Sequence, residues 1–202
     1  MGKFDRRGRG WAGRFTTLAV FACVVMAAFA ESKARAGDAL EAAANAERLL
    51  AAGKPREAYD AMQRAAEAYW AASPLDFRRI LFVTKDPEGF GVYQPRETNL
   101  YKAGDTILVY GEPFGFGYAK DGETSKIAFE ITLSTADADG KVVIQPRSGS
   151  IVLKSRRENR EFMLFFSYEP RGLKPGAYAL LAEFRDTSSG KASSARMPFR
   201  IE

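Results

Sequence analysis

Lys126-Ile127-Ala128-Phe129-Glu130-Ile131-Thr132-Leu133-Ser134 is the stretch that decides the fold class. Ile127, Phe129, Ile131 and Leu133 fall on one side of an extended chain, and Ala128, Glu130, Thr132 and Ser134 on the other. A period of two predicts a strand buried on one face. Asp137-Ala138-Asp139-Gly140 follows, a cluster of turn-forming residues that predicts a hairpin, and 142–144 predicts the returning strand. Further strands are expected at 80–83, 106–110, 151–153, 161–168, 177–186 and 195–201. In the last of these Ala195, Met197, Phe199 and Ile201 oppose Arg196, Pro198, Arg200 and Glu202. Many short strands separated by turn signals, with no crossover helix between them, predict a mainly β protein. The expected form is an antiparallel β-sandwich over 75–202 rather than a parallel sheet.

Upstream the period changes. From Asp38 the composition is alanine-rich, with Glu41 three residues on in a capping-box spacing and Leu40, Leu49 and Leu50 as apolar positions. Gly53-Lys54-Pro55 predicts a break and a restart: glycine suits the left-handed end of one helix, proline the first turn of the next. Tyr59, Met62, Ala66 and Tyr69 then recur at helical spacing until Ser73-Pro74. A helical hairpin is therefore expected over 31–74. Its Ala46, Leu49, Leu50, Gly53, Ala58 and Ala65 resemble one tetratricopeptide unit, in which small residues let two helices pack closely. A single copy implies a hairpin that docks on a neighbour or acts as a spacer, because such repeats usually stack in threes or more.

In the C-terminal third, Leu173-Lys174-Pro175-Gly176-Ala177-Tyr178 resembles the corner that precedes the penultimate strand of immunoglobulin-like and fibronectin type III-like domains. The resemblance implies an Ig-like sandwich in which the Tyr178 hydroxyl ties back to nearby backbone, a structural role. The whole layout resembles secreted bacterial proteins that join an export signal, a helical hairpin and one such sandwich.

The first 30 residues read as a secretory signal peptide. Lys3, Arg6, Arg7, Arg9 and Arg14 precede an apolar run from Phe15 to Ala30, which ends in Ala28-Phe29-Ala30 before Glu31. The alternative is an uncleaved anchor, although the run is shorter than the ~20 residues a spanning helix needs. The chain carries 30 basic and 25 acidic residues; removing five bases and one acid with the signal leaves 25 against 24. The apparent net charge of +5 belongs to the segment that is expected to be lost. A nearly neutral remainder lacks the cationic excess that nucleic acid binding requires, so no nucleic acid partner is expected. Cys23 is the only cysteine and lies within the signal, and the chain has no histidine. Thiolate and imidazole chemistry are thereby excluded from the mature protein, as are disulfides and Cys- or His-based metal sites. No cofactor and no metal are expected. A non-catalytic binding or scaffolding role in the bacterial periplasm or outside the cell is the expectation, with another envelope protein as partner and glycan as the alternative.

The unusual local compositions are Gly89-Phe90-Gly91-Val92-Tyr93-Gln94-Pro95 and Tyr110-Gly111-Glu112-Pro113-Phe114-Gly115-Phe116-Gly117-Tyr118. Tyr93, Phe114, Phe116 and Tyr118 would form a sugar-stacking platform if exposed, or core if buried. Glu112 with Asp105 or Glu130 is the carboxylate pair a glycosidase-like enzyme would use. Asp137-x-Asp139-Gly140 has part of a calcium-loop spacing but suffices as a turn. Lys154–Glu161 is a mixed charge run expected on a solvated connection. N-terminal sequencing of the protein recovered from a bacterial envelope fraction is expected to begin at Glu31; a chain starting at Met1 or Gly2 would mean an anchor instead.

Overall fold

The computed structural model describes residues 37–202; the expected signal peptide lies outside them. The chain divides between Ala72 and Ser73 into two compact units. The first holds two helices, α1 over 37–51 and α2 over Pro55–Ala72. Gly53 adopts φ +74° between them, and its neighbour Lys54 donates its N–H to the Leu49 carbonyl (3.0 Å). Pro55 opens α2, where no N–H is needed. Ala39, Ala46, Ala58, Ala61 and Ala65 are buried, whereas Leu50, Tyr59 and Tyr69 are exposed. Among the described residues no helix is long and apolar enough to cross a membrane.

The second unit is mainly β: β1 (Asp76–Val83), β2 (Leu100–Tyr101), β3 (Ile107–Phe114), β4 (Ala119–Asp121), β5 (Thr124–Asp137), β6 (Val142–Ser155), β7 (Leu164–Tyr168), β8 (Gly176–Asp186) and β9 (Ala192–Ile201). One sheet has the order β1-β3-β7 and the other β2-β9-β8-β5-β4, with β6 on the far side of β5. All pairings are antiparallel except β2 with β9, where Arg200 and Glu202 donate N–H groups to Asn99 and Tyr101 carbonyls.

Residues that alternate along the strands meet in one core between the sheets. Ile107, Val109 and Tyr168 of the small sheet cluster with Leu180, Met197, Phe199 and Ile201 of the large one. Phe77 of β1 packs on Phe184 of β8 at 4.5 Å, and the Thr135 and Tyr168 hydroxyls bond across the gap between β5 and β7. A second aromatic group, Phe116, Phe129 and Phe162, fills the neighbouring end of the core. Prolines sit where a strand lacks a neighbour. β7 stops opposite Gly111, so Pro113 of β3 has a partner on one side only.

Two of the expected strands are one. The segments at 142–144 and 151–153 belong to the continuous 14-residue β6, which pairs with β5 from Ser155 to Val142. Gln145-Pro146-Arg147-Ser148-Gly149-Ser150 looks like a loop because it is polar and contains Pro and Gly. Pro146 is tolerated at a register shift opposite Leu133–Thr135, on a strand that forms the rim of its sheet.

The 115–118 connection is tied to the β8–β9 turn. Asp186, 0 % exposed, accepts N–H groups from Gly117 (2.6 Å) and Ser188 (2.8 Å) and the hydroxyl of Ser189. Three donors offset the desolvation that a lone buried carboxylate would suffer. Lys191 donates from Nζ to the carbonyls of Ser73 (2.6 Å) and Gly115 (2.7 Å). Gly115 has φ +74°, and a Cβ there would stand 2.2 Å from the Pro74 carbonyl oxygen. Gly91 has the same φ but open space around it. Urea unfolding should therefore separate the two: Gly91→Ala costs about 1 kcal/mol for left-handed backbone alone, and Gly115→Ala more than about 2 kcal/mol. Equal losses would contradict the close contact with Pro74.

Candidate functional site

The residues singled out in the sequence do not assemble. Phe116 is 1 % exposed and enclosed by Tyr118, Phe129 and Phe162. Phe114 ends β3, opposite Asp76, and is half-buried. Tyr118 is half-buried, its ring inclined 62° to that of Phe116. Tyr93 lies elsewhere, stacked on Tyr110 at 4.2 Å. No coplanar row of rings results. Phe114, Phe116 and Tyr118 do not lie on one strand face either, because β3 stops at Phe114 and β4 begins at Ala119.

The three carboxylates also point apart. Glu112 is buried and accepts the Tyr110 hydroxyl proton at 2.9 Å, while the same hydroxyl oxygen accepts the Gly91 N–H at 2.8 Å. Tyr110 alternates with the core residues Ile107 and Val109, so it and Glu112 face away from the opposite sheet. Glu130 is exposed on the outer face of β5, beyond the core. Asp105 precedes β3 and accepts the Lys102 N–H at 2.8 Å. Asp137 caps its own turn, taking the N–H groups of Asp139 (3.1 Å) and Lys141 (2.9 Å). Among the described residues no cluster of three or more potential metal ligands occurs. The Tyr178 hydroxyl donates to the Lys174 carbonyl at 2.9 Å.

Both flanks of the two-sheet unit are concave, and the one at β1/β9, of roughly 710 Å³, is bridged by chain whereas the one at β6/β7 lies between two unpaired strand edges. On the β1/β9 flank, segment 95–101 crosses the gap between the sheets. Arg96 lies 4.2 Å over the Tyr101 ring and donates to the Leu100 carbonyl at 2.7 Å. On the opposite flank β6 and β7 each have a neighbour on one side only, and a cleft of roughly 680 Å³ separates them. Ile131, Leu133, Ile151 and Phe166 supply its apolar walls, with Arg147 and Arg171 at its edges. Register assigns the faces of β6. Leu153, Ile151, Gly149 and Arg147 stand opposite Ile127, Phe129, Ile131 and Leu133, hence on the inner face; Val152, opposite Ala128, is 55 % exposed on the outer face. Arg171 is neutralised by Glu169 at 2.6 Å. Lys154 is neutralised by Asp121, also at 2.6 Å, whose carboxyl it holds below the usual range by hydrogen bond and charge. Arg147 makes no hydrogen bond or ion pair among the described residues.

Sequence reasoning missed β6 as a site because it divided the strand in two. The signal was present in the alternation Arg147, Gly149, Ile151, Leu153, visible only to a reader who allowed Pro146 within a strand.

No established protein family matches the chain, and no curated protein resembles it at a significant level. Solved structures give loose likenesses. The superoxide reductase (neelaredoxin) of Ignicoccus hospitalis is 12% identical with a TM-score of 0.34, over 63% of this chain and 82% of that one. The β-glucuronidase of Bacteroides uniformis is 17% identical with a TM-score of 0.31, over 62% of this chain and 13% of its own. The sporulation control protein Spo0M of Bacillus subtilis is 13% identical with a TM-score of 0.30, over 64% and 50%. Such scores carry no role across to this chain.

Burial pushes the phenols of Tyr101, Tyr110 and Tyr118 from the usual 10.0 up to about 12. A phenol with a raised folded-state pKa adds stability that is complete below pH 10 and is lost as the pH rises through 12. Stability is thus expected to hold constant up to about pH 9.5 and then decline, with ionisation of these three rings, followed individually by NMR, appearing together with loss of tertiary circular dichroism. Ionisation of Tyr101, Tyr110 or Tyr118 at pH 10 in a fully folded protein would contradict it.

Proposed function

We propose that the protein is a non-catalytic binding or scaffolding module of the bacterial cell envelope, which holds a partner protein by adding a strand of that partner to the free edge of β6. The observation that carries this reading is the 14-residue β6, paired on one side, exposing Val152 and Leu153, and flanking an apolar cleft. An edge strand offers unpaired N–H and C=O groups, and an extended segment that pairs with it gains main-chain hydrogen bonds as well as side-chain contacts.

The β unit is read here as an Ig-like sandwich of the fibronectin type III kind. Three features support this: the small sheet β1-β3-β7 against β9-β8-β5-β6, the short β2 alongside β9, and the Tyr178–Lys174 bond placed where that fold carries its tyrosine corner. The helical hairpin, read as tetratricopeptide-like, serves as spacer or second contact surface. Periplasmic or secreted location rests on the signal-like 1–30 segment. The glycan alternative is less well supported, because Phe116 is enclosed in the core and Tyr93 stacks within the protein.

A photo-reactive residue at Val152 is expected to cross-link a defined envelope protein in intact cells, and one at exposed Leu100 on the opposite flank is not. Val152→Lys should reduce the adduct formed from a probe at Ser150 about tenfold, a loss of roughly 1.4 kcal/mol. Equal labelling from both flanks, or none from Val152, would sink the proposal.

A further inference from the structure

The inner face of β6 carries a pattern that specifies what the added strand must bring. Arg147 stands on that face beside the cleft, without a counter-ion among the described residues, while the other cations nearby, Arg171 and Lys154, are paired. An unpaired inward charge normally blocks an edge against indiscriminate pairing. The Pro146 register shift blunts the part of the strand before Arg147. From Arg147 to Ser155 the pairing with β5 is regular, so this half is left receptive.

Two residues from Arg147, Gly149 leaves the inner face without a side chain, and nothing lies within 4 Å of where its Cβ would be. Its cross-strand neighbour is Ile131. A glycine in a strand marks a place where another group approaches closely. Side chains directly opposite one another on adjacent strands are about 5 Å apart. A large apolar side chain opposite Gly149 would therefore lie over the glycine and reach Ile131, with Ile151 and Phe166 on the cleft walls. A side chain opposite Arg147 would meet an arginine whose only uncompensated need is a carboxylate.

We infer that the occupant of β6 is an extended polypeptide segment with an acidic residue and an aliphatic residue two positions apart, the carboxylate set on Arg147 and the aliphatic side chain in the slot above Gly149. This rests on strand addition at β6 as the binding mode and names the chemistry the partner supplies. Alternate spacing follows from the pleat, since only every second residue of the added strand faces the cleft.

The test uses the full chain and fluorescent peptides in which Glu, Ile and Val alternate with Thr, in both chain directions, alongside versions with Lys for Glu and with Ala for Ile. Fluorescence anisotropy is expected to show binding of one Glu–Ile peptide and at least tenfold weaker binding of its Lys and Ala versions. Arg147→Glu should invert the preference, favouring the Lys peptide, and Gly149→Val should weaken the Glu–Ile peptide tenfold by filling the slot. If Gly149→Val fails to fold by circular dichroism, the charge inversion at Arg147, an exposed side chain, decides alone. Equal affinity for Glu and Lys peptides overturns the inference. Absence of any peptide binding while the Val152 probe still captures an envelope protein overturns it too and leaves strand addition standing. A doubling of mass in light scattering that Val152→Lys abolishes assigns the edge to a second copy of the chain and likewise overturns it.

Discussion

The alternation of β5 is the constraint on which the rest depends. Ile127, Phe129, Ile131 and Leu133 must leave water together, and a strand of 14 residues has more backbone than one neighbour can satisfy. β6 pairs along nearly its whole length on one side; β8 and then β4 share the other. Because β8 pairs with β9, and β9 with β2, five further strands take their register directly or indirectly from this one. A slip of one residue would turn Phe129 and Ile131 to solvent and Glu130 into the core, which makes the register self-correcting. The small sheet then closes over the inner face, joined by the Phe77–Phe184 contact and the Thr135–Tyr168 hydroxyl bond.

Where that core reaches the end of β8, a polar knot takes over from apolar packing. Asp186 and Lys191, five residues apart across a turn, hold the backbone of two other segments: the aspartate binds Gly117, the lysine binds Ser73 and Gly115. The glycine-rich aromatic stretch is explained by this contact. Gly115 and Gly117 permit backbone to come within reach of Pro74 and Ser189, and Phe116 between them turns into the core. A composition that reads equally as a binding loop is here the consequence of segments of the chain crossing without room for a Cβ.

Most of the β strands were legible because burial on one face imposes a period of two, which β9 shows without interruption and β5 and β8 show over part of their length. β6 was not, since an edge strand has neither a buried face along its whole length nor a second neighbour to exclude proline. Its middle, Gln145 to Ser150, has the chemistry of a loop and the pairing of a strand. The open flank was illegible for the same reason. Arg147, Gly149 and Ile151 become a set only when the pairing with Leu133, Ile131 and Phe129 puts them on one face.

By itself the sequence determined what chemistry the protein lacks. Without histidine it has no imidazole to place anywhere, whatever its fold, and its one cysteine lies in the signal-like segment. It also determined the mainly β character, the break at Gly53-Lys54-Pro55 and the turn at Asp137–Gly140, all of which follow from local sterics and short-range hydrogen bonds. Tertiary structure alone decided which aromatics are interior, which carboxylates are apart and which edge is left open. Those properties depend on residues tens of positions away in the chain, such as Asp186 for Gly117 and Tyr110 for Gly91, and distance in sequence carries no information about who fills the space beside a side chain.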